Sequence, residues 1–362
     1  MDKLKIALVT DQPPWTGIGR YAEELYYLIK DYYDVKFIYL GAHMVQGNYY
    51  ENLNYIKYTK KFYLIPKIKK YNYKMFKIDP RFENYIKHYL GAFYPIDSIS
   101  EKTIITIHDM YKRNFFLSLK AGIRELGSIF FINRDVKKFL NILNKNPYII
   151  AISNITAEDI LKIGYSNKIK VIYHWIDKNK FKPRDKLDCK KILGLKEDIN
   201  YLLSVSGSGA NKRLDLIKIF ANSLPEKWRL IKIGAPIKSK KVLNYGKVND
   251  DLYPLFFNAS EAYLHMSDIE GFGIPLLEAL GSGIPIIARK TKINNEILEN
   301  FPIYLMEDTK QYYQKNMNDI LQMIKAPLFK KDELNKLLNK YDVNNARKAY
   351  IDFYNYVYNK IK

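Results

Sequence analysis

The sequence predicts an α/β protein built from two Rossmann-like domains, each with a parallel sheet. Short apolar runs alternate with amphipathic stretches along the chain, which is the pattern of strands joined by helical crossovers. A glycine turn follows the opening strand of each half, at Gly17-Ile18-Gly19 and Gly207-Ser208-Gly209. The 362 residues are also long for one hydrophobic core and comfortable for two.

The first half begins with the apolar strand of KIALVTD, and its glycine turn leads into a helix predicted over residues 22–30. Ser153 and Asn154 are expected to cap a helix that begins near Thr156. Further apolar runs predict buried strands at residues 35–40, 104–107, 148–152 and 171–173.

A charged stretch at residues 177–198, with Pro183 inside it, is interpreted as an irregular interdomain linker. Residues 344–362 place apolar side chains at four-residue steps, which predicts an amphipathic terminal helix. Between the linker and the terminal helix, the second half is predicted to contain strands at 201–206, 229–234 and 261–265 and helices at 216–224 and 251–258.

Composition argues against several classes of protein. The single cysteine, Cys189, rules out a disulfide within the chain and favours a cytoplasmic setting. No apolar run approaches the roughly 18 residues that a membrane span needs, and the apolar stretch of MDKLKIALVTDQ is too short for a cleaved signal. The scattered histidines lack the spacing of a zinc site, so no metal is expected.

The net charge of +21 favours an anionic partner. The excess is concentrated at residues 51–80, where lysines are interleaved with tyrosines and phenylalanines. Such a segment could lie on an anionic membrane surface, or it could simply be a solvated basic face. Nucleic acid ranks lower as a partner, because no binding motif accompanies the charge.

The most informative run is EGFGIPLLEALGSGIPIIA, at residues 270–288. Pro275 stands at the expected first helical position, after a turn that contains Gly273. Glycine lets backbone approach a ligand closely, and the N–H groups and dipole of a helix start attract phosphate. Glu270 and Glu278 could accept hydrogen bonds from hydroxyls on either side of that phosphate. The run therefore predicts a nucleotide-sugar site, although a glycine-punctuated βαβ unit is the simpler alternative.

The two glutamates have seven residues between them, and with the glycines and the proline they resemble the signature of retaining glycosyltransferases of family 4. The resemblance implies the GT-B architecture, in which two Rossmann-like domains face each other across a cleft. It implies an acceptor-side domain at residues 1–178 and a nucleotide-sugar-binding domain at 179–342. A terminal helix at 343–362 is then expected to cross back and pack on the first domain.

The same resemblance implies roles for individual residues. Glu270 would hold the transferred sugar near its anomeric carbon, with any covalent role left open, and Glu278 would hold the ribose hydroxyls. His108, at the carboxyl end of the strand in TIHD, is similar to the histidine that reaches the transferred sugar. The remaining donor contacts are expected from two glycine turns, a basic pair and a base-binding loop: Gly17, Gly19, Lys212, Arg213, Val248, Phe272, Gly273 and Ile274.

The sequence departs from the family pattern at a few positions. Asn211 stands where an arginine often precedes the lysine, so Arg213 is expected to supply that charge. His174 and Trp175 replace the preferred Asn-Gly pair, and Met266 replaces a proline.

The leading hypothesis is a retaining, metal-independent hexosyltransferase with a donor of the GDP-mannose or UDP-hexose type. Its acceptor hydroxyl would belong to a lipid-linked or membrane-surface glycan, which suits a cytoplasmic protein on the inner face of the membrane. Fixed positive charge would stabilise the leaving diphosphate in place of a metal, so no cofactor is expected. The alternatives are a catalytically idle binding protein of the same fold and a nucleic-acid-modifying transferase.

Overall fold

The structure, a computed structural model, describes residues 3–40, 55–57, 80–91, 99–110, 139–165, 168–325 and 331–361. The chain divides into two compact units. Among the described residues, the first unit comprises those up to His174 together with those from Ala346 onward, and the second runs from Trp175 to Asn345. The basic segment predicted at 51–80 lies outside the described residues, apart from 55–57 and Pro80.

The described strands of the first unit form one sheet of the order β3-β2-β1-β4-β5-β6-β7. Every pair in it is parallel. Its central strands are apolar runs that are almost completely buried, as expected for a parallel sheet covered on both faces. The strands are β1 Lys5–Thr10, β2 Asp34–Tyr39, β3 Tyr55–Lys57, β4 Ile86–Tyr89, β5 Thr103–Ile107, β6 Tyr148–Ala151 and β7 Ile169–Val171.

The first helix, α1, spans Gly17–Ile29 and begins earlier than predicted. Thr16 caps it, because its Oγ1 accepts a 3.0 Å hydrogen bond from the amide of Gly19. A Cβ on Gly19 would lie 1.9 Å from the carbonyl oxygen of Pro13, so this position requires glycine. Ser153 caps helix α2, Asn154–Lys162, as the sequence predicts.

The described strands of the second unit form a parallel sheet of the order β10-β9-β8-β11-β12-β13. They are β8 Asn200–Ser206, β9 Trp228–Gly234, β10 Val242–Gly246, β11 Ala262–His265, β12 Ile286–Arg289 and β13 Ile303–Leu305. The helices are α3 Lys186–Ile192, α4 Leu214–Asn222, α5 Tyr253–Asn258, α6 Ile274–Gly281, α7 Lys292–Leu298, α8 Lys310–Lys325 and α9 Lys331–Lys340. The two sheets and their crossover helices confirm the predicted α/β class.

The last helix, α10, spans Val343–Ile361, and its residues from Ala346 onward belong to the first unit. There the hydroxyl of Tyr350 lies 2.6 Å from that of Tyr21. The hydroxyl of Tyr354 lies 2.7 Å from Nδ1 of His88. The expected return of the terminal helix to the first domain is therefore confirmed, and hydroxyl contacts fix it as well as apolar packing.

Several elements differ from the sequence prediction. The predicted linker contains helix α3, because Asp185 caps it by accepting a 2.9 Å hydrogen bond from the amide of Asp188. Strand β7 begins two residues earlier than expected, since Ile169 pairs with Ile149. Strand β4 was not predicted, because the polar residues of IKHY obscure its apolar character.

No helix among the described residues is both long enough and apolar enough to cross a membrane.

The first unit buries a neutral histidine in its sheet. His88 is fully buried, with Nδ1 bonded to Tyr354 and Nε2 at 2.7 Å from the hydroxyl of Thr106. Burial, with a smaller contribution from His108, lowers the pKa of His88 to about 3. The imidazole therefore stays neutral while it exchanges hydrogen bonds with two hydroxyls.

We predict that the first unit loses stability as the pH falls below 6.5. An unfolded His88 binds a proton near its ordinary pKa of 6.5, whereas the folded residue does so only near pH 3. Across that window the stabilising contribution decreases by about 1.4 kcal/mol per pH unit. Hydrogen exchange of the β4 and β5 amides between pH 7 and pH 5 should show a shallower pH dependence in His88→Gln than in the unmodified protein.

The matched control is Tyr354→Phe, which keeps the imidazole and removes one of its partners. It should lower the unfolding free energy by about 1 kcal/mol while leaving the pH dependence unchanged. If hydrogen exchange depends on pH equally in His88→Gln and in the unmodified protein, His88 is not a buried neutral histidine.

Candidate functional site

Two loops meet at the carboxyl edge of the second sheet. One follows β8 and the other follows β11, which are neighbours in the sheet, so their carboxyl ends lie side by side. The side-chain amide of Asn211 donates a 2.8 Å hydrogen bond to the carbonyl of Ile269. The amide of Asp268 donates to the carbonyl of Asn211 at 2.9 Å. The two loops are thereby held in one arrangement.

An ion pair joins the same loops. Nζ of Lys212 lies 2.5 Å from Oε1 of Glu270, and the two side chains are 27% and 13% exposed. Burial would raise the pKa of Glu270, but Lys212, His265 and the hydroxyl of Ser267 outweigh it and hold that pKa below its usual value. Glu270 is therefore a carboxylate at neutral pH and a ready acceptor for hydroxyls.

Arg213 is occupied by carboxylates. Its guanidinium binds Asp215 at 2.9 Å and both oxygens of Asp268 at 3.2 Å, and the residue is 9% exposed. Asp268 also pairs with Arg289, which in turn bonds Asp308 at 2.7 Å. Arg213 has a φ of +50°, which is uncommon for a residue with a side chain. This arrangement fixes the loop, and it does not leave the guanidinium directed at a ligand as the sequence suggested.

Helix α6 begins beside Glu270. Gly273 precedes it with a φ of +90°, a backbone conformation that favours glycine. Pro275 is the second residue of the helix, because the helix begins at Ile274 and not at the proline. Phe272 is 2% exposed and packs edge-on against Tyr341 at 5.8 Å between ring centroids. Its ring belongs to the core, so its role toward a ligand is confined to the backbone.

Glu278 lies further along α6 and is 2% exposed. The hydroxyl of Tyr253, from α5, donates a 2.6 Å hydrogen bond to its Oε2. Sequence reasoning missed Tyr253, because an aromatic residue in an apolar helix carries no distinguishing signal.

Val248, expected to lie in the base-binding loop, is half-buried and follows β10, whose last residue, Gly246, has a φ of +61°.

His265 also escaped sequence analysis. It ends β11, is 5% exposed, and its Nε2 has no hydrogen-bond partner among the described residues. Burial lowers the pKa of His265 to about 4, with Glu270 opposing and Lys212 reinforcing the shift. A polar residue at the end of the apolar run AYLH, directly before the glutamate loop, is the signal that could have identified it.

The first unit holds a separate group of predicted site residues. His108 is half-buried, and its Nε2 lies 3.2 Å from the carbonyl oxygen of Leu90. The ring stacks on His174 at 5.7 Å, and Tyr21 contacts both rings edge-on at 4.9 Å. Burial, then His108, lowers the pKa of His174 far below 6.5. Because a carbonyl oxygen only accepts, Nε2 of His108 is the donor in its contact with Leu90.

The structure thus brings the predicted residues together in two groups. In the second unit Lys212, Glu270 and the start of α6 adjoin one another, and Glu278 follows on the same helix. In the first unit Gly17 and Gly19 open α1, the helix whose Tyr21 contacts His108.

The chain is similar in sequence to known glycosyltransferases. Residues 185–327 match the family model of glycosyl transferases group 1. The chain is 23% identical to the O-antigen chain mannosyltransferase RfbU of Salmonella typhimurium, over 92% of this chain and 94% of that protein. It is 26% identical to N-acetyl-alpha-D-glucosaminyl L-malate synthase of Bacillus anthracis, over 44% of this chain and 45% of that protein.

Solved structures show the same fold. Sucrose-phosphate synthase from Thermosynechococcus elongatus aligns over 99% of this chain and 100% of its own, with a TM-score of 0.74 and 13% identity. HepE from Anabaena, in complex with UDP and glucose, aligns over 96% of this chain and 98% of its own, with a TM-score of 0.70 and 15% identity. Residues 185–327 thus match the model of glycosyl transferases group 1, and the chain over most of its length is similar in sequence to the mannosyltransferase RfbU and in fold to these solved structures.

Proposed function

We propose that this protein is a retaining, metal-independent hexosyltransferase that uses a nucleotide-diphosphate sugar as donor. The RfbU relative is named a mannosyltransferase and matches almost the whole chain, which supports GDP-mannose as the first donor to test. The structure of HepE holds UDP and glucose, which supports a UDP-hexose as the second. A hydroxyl on a glycan, including a lipid-linked one, is the proposed acceptor.

The observation that carries this proposal is the Lys212–Glu270 pair beside the start of α6. A cation and a helix N-terminus suit the diphosphate, and a carboxylate suits the sugar hydroxyls. Glu278, further along the same helix and held by Tyr253, suits the two hydroxyls of a ribose. Glu270, the start of α6 and Glu278 follow one another along the chain in the same order as the donor's sugar, diphosphate and ribose.

The reaction breaks the bond between the anomeric carbon and a phosphate oxygen, and the electron pair leaves with the nucleoside diphosphate. The acceptor oxygen forms the new bond on the same face of the sugar, and its proton passes to the departing phosphate oxygen. Negative charge therefore grows on the diphosphate as positive charge grows on the sugar ring. Lys212 and the amides of Gly273 and Ile274 are proposed to stabilise the negative charge on the diphosphate. Glu270 is proposed to stabilise the positive charge on the sugar ring.

In the first unit, His108 is proposed to reach the transferred sugar as the second catalytic residue. Its Nε2 donates to the carbonyl oxygen of Leu90, which holds the ring in one orientation. The stacked His174 and the edge of Tyr21 restrict rotation of the ring.

We predict that GDP-mannose or a UDP-hexose raises the melting temperature and that EDTA does not change the transfer rate. A ligand at a hundred times its Kd stabilises the folded state by about 2.7 kcal/mol, which a thermal-shift assay detects. The anomeric configuration of the product, measured by NMR coupling constants, should equal that of the donor. An inverted product, or transfer abolished by EDTA, would overturn the corresponding part of the proposal.

We predict that Glu278→Ala raises the KM for the donor about 10- to 100-fold, because hydrogen bonds to a charged acceptor are worth about 1.5–3 kcal/mol. Glu278→Gln keeps the shape and can still accept from Tyr253, so it should show a smaller increase. Initial rates at varied donor concentration measure both. Unchanged donor KM in Glu278→Ala would remove this residue from the site.

We predict that Lys212→Met lowers kcat/KM about 100- to 1,000-fold and destabilises the second unit by roughly 1–3 kcal/mol, since it leaves Glu270 without its cation. Adding Glu270→Gln should restore the unfolding free energy, because no unpaired carboxylate remains. It should not restore transfer. Recovery of activity in the double variant would show that the pair serves stability alone.

A further inference from the structure

A lysine lies in the middle of the second sheet. Lys232 belongs to β9, where it pairs with Ser204 of β8 and Asn244 of β10, and it is 0% exposed. Its Nζ donates to the carbonyl oxygens of Ser206 at 2.7 Å and Ile233 at 2.8 Å. The side chain therefore extends along the strand to the carboxyl edge, where the loops of the candidate site begin.

This ammonium has no counter-ion in the part of the chain that the structure describes, since no carboxylate there lies within 4 Å of it. Burial, together with the neighbouring Lys212, lowers the pKa of Lys232 to about 8. Because neutral pH lies below that value, the buried lysine remains mostly protonated. Lys212 has Glu270 as its partner, whereas Lys232 has only carbonyl oxygens.

The position of Lys232 points to the glycine loop. Ser206 is the last residue of β8 and directly precedes Gly207-Ser208-Gly209. The Oγ of Ser206 is buried without a hydrogen-bond partner among the described residues. Gly234 has a φ of +92°, and a Cβ there would lie 2.4 Å from the carbonyl oxygen of Ser206. Glycine thus lets the end of β9 close on Ser206, which places the ammonium next to the start of the loop.

A buried cation with no counter-ion is costly, and such charges occur where an anion binds or where another group compensates them. The second cation that the sequence suggested for a diphosphate, Arg213, is already bound to Asp215 and Asp268. The loop after β8 therefore offers Lys212 alone to a ligand that carries two negative charges. Lys232 binds the carbonyl of Ser206, the residue that directly precedes this loop.

We propose that Lys232 is the second cation of the diphosphate site, acting from within the sheet as a positioning residue for the Gly207–Gly209 loop. Its ammonium holds the carbonyl of Ser206 and adds positive potential where the loop meets the phosphates. This inference rests on the proposed nucleotide-sugar donor and deepens it.

The test compares Lys232→Met with the unmodified protein by calorimetric titration of UDP, GDP and ADP, each beside its nucleoside. The variant should bind the preferred diphosphate about 10- to 100-fold more weakly, in line with the loss of one charge-assisted interaction. Its affinity for the nucleoside should not change. Its melting temperature should stay the same or rise, because replacing a buried unpaired charge with an apolar side chain removes a desolvation cost.

Lys190→Met is the matched control. Lys190 is also buried in the second unit, at 3% exposed, and its Nζ donates to the carbonyl oxygens of Glu197 at 3.3 Å and Ile199 at 2.8 Å. It lies before the amino end of β8, away from the glycine loop, so its loss should leave the affinity for every nucleotide unchanged.

The outcomes separate this inference from the proposed function. Unchanged diphosphate affinity in Lys232→Met, or equal losses for diphosphate and nucleoside, would overturn the role of Lys232 while the donor site stands. A further outcome is that the unmodified protein binds inorganic pyrophosphate, with weaker binding in Lys232→Met, and yet binds no nucleotide. In that case the proposed donor is wrong, and the role of Lys232 in an anion site stands. If neither pyrophosphate nor any nucleotide binds the unmodified protein, both are overturned.

Discussion

The candidate site depends on one set of contacts, in which three consecutive residues of one loop hold three consecutive residues of another. Asn211 bonds the backbone of Asp268 and Ile269, Lys212 pairs with Glu270, and Arg213 pairs with Asp268. A displacement of either loop by one residue would break all of these contacts together. Because hydrogen bonds and ion pairs of this kind are mutually dependent, the loops behave as one unit.

These contacts between residues 211–213 and 268–270 explain why Arg213 and Lys212 differ in role although they are neighbours. Arg213 has a left-handed backbone and its guanidinium binds Asp215 and Asp268, whereas Lys212 pairs with Glu270. Arg289, the last residue of β12, and Asp308, which follows β13, extend the network, so the glutamate loop is tied to the carboxyl ends of two further strands. Anchoring of this type holds catalytic groups in place before a ligand arrives.

The sequence was sufficient for the fold class and for singling out Lys212 and Glu270, which the structure brings together, because strand periodicity, glycine turns and the paired glutamates are local signals. It was insufficient where a role depends on contacts between distant segments. The capping of α3 by Asp185, the carboxylates around Arg213 and the hydroxyl of Tyr253 on Glu278 all require knowledge of spatial neighbours. Lys232 is an intermediate case: a lysine inside the apolar run RLIKIG is conspicuous in sequence, but its direction along the strand is not.

The return of α10 to the first unit has a consequence for the order in which the chain folds during synthesis. The hydroxyls that bond His88 and Tyr21 come from Tyr354 and Tyr350, which the ribosome adds after the residues of the second unit. The described residues of the second unit lie between Trp175 and Asn345 and precede them. The amino-terminal unit therefore waits, with part of its core uncovered, until the carboxyl-terminal unit has already emerged, which reverses the usual order of domain completion.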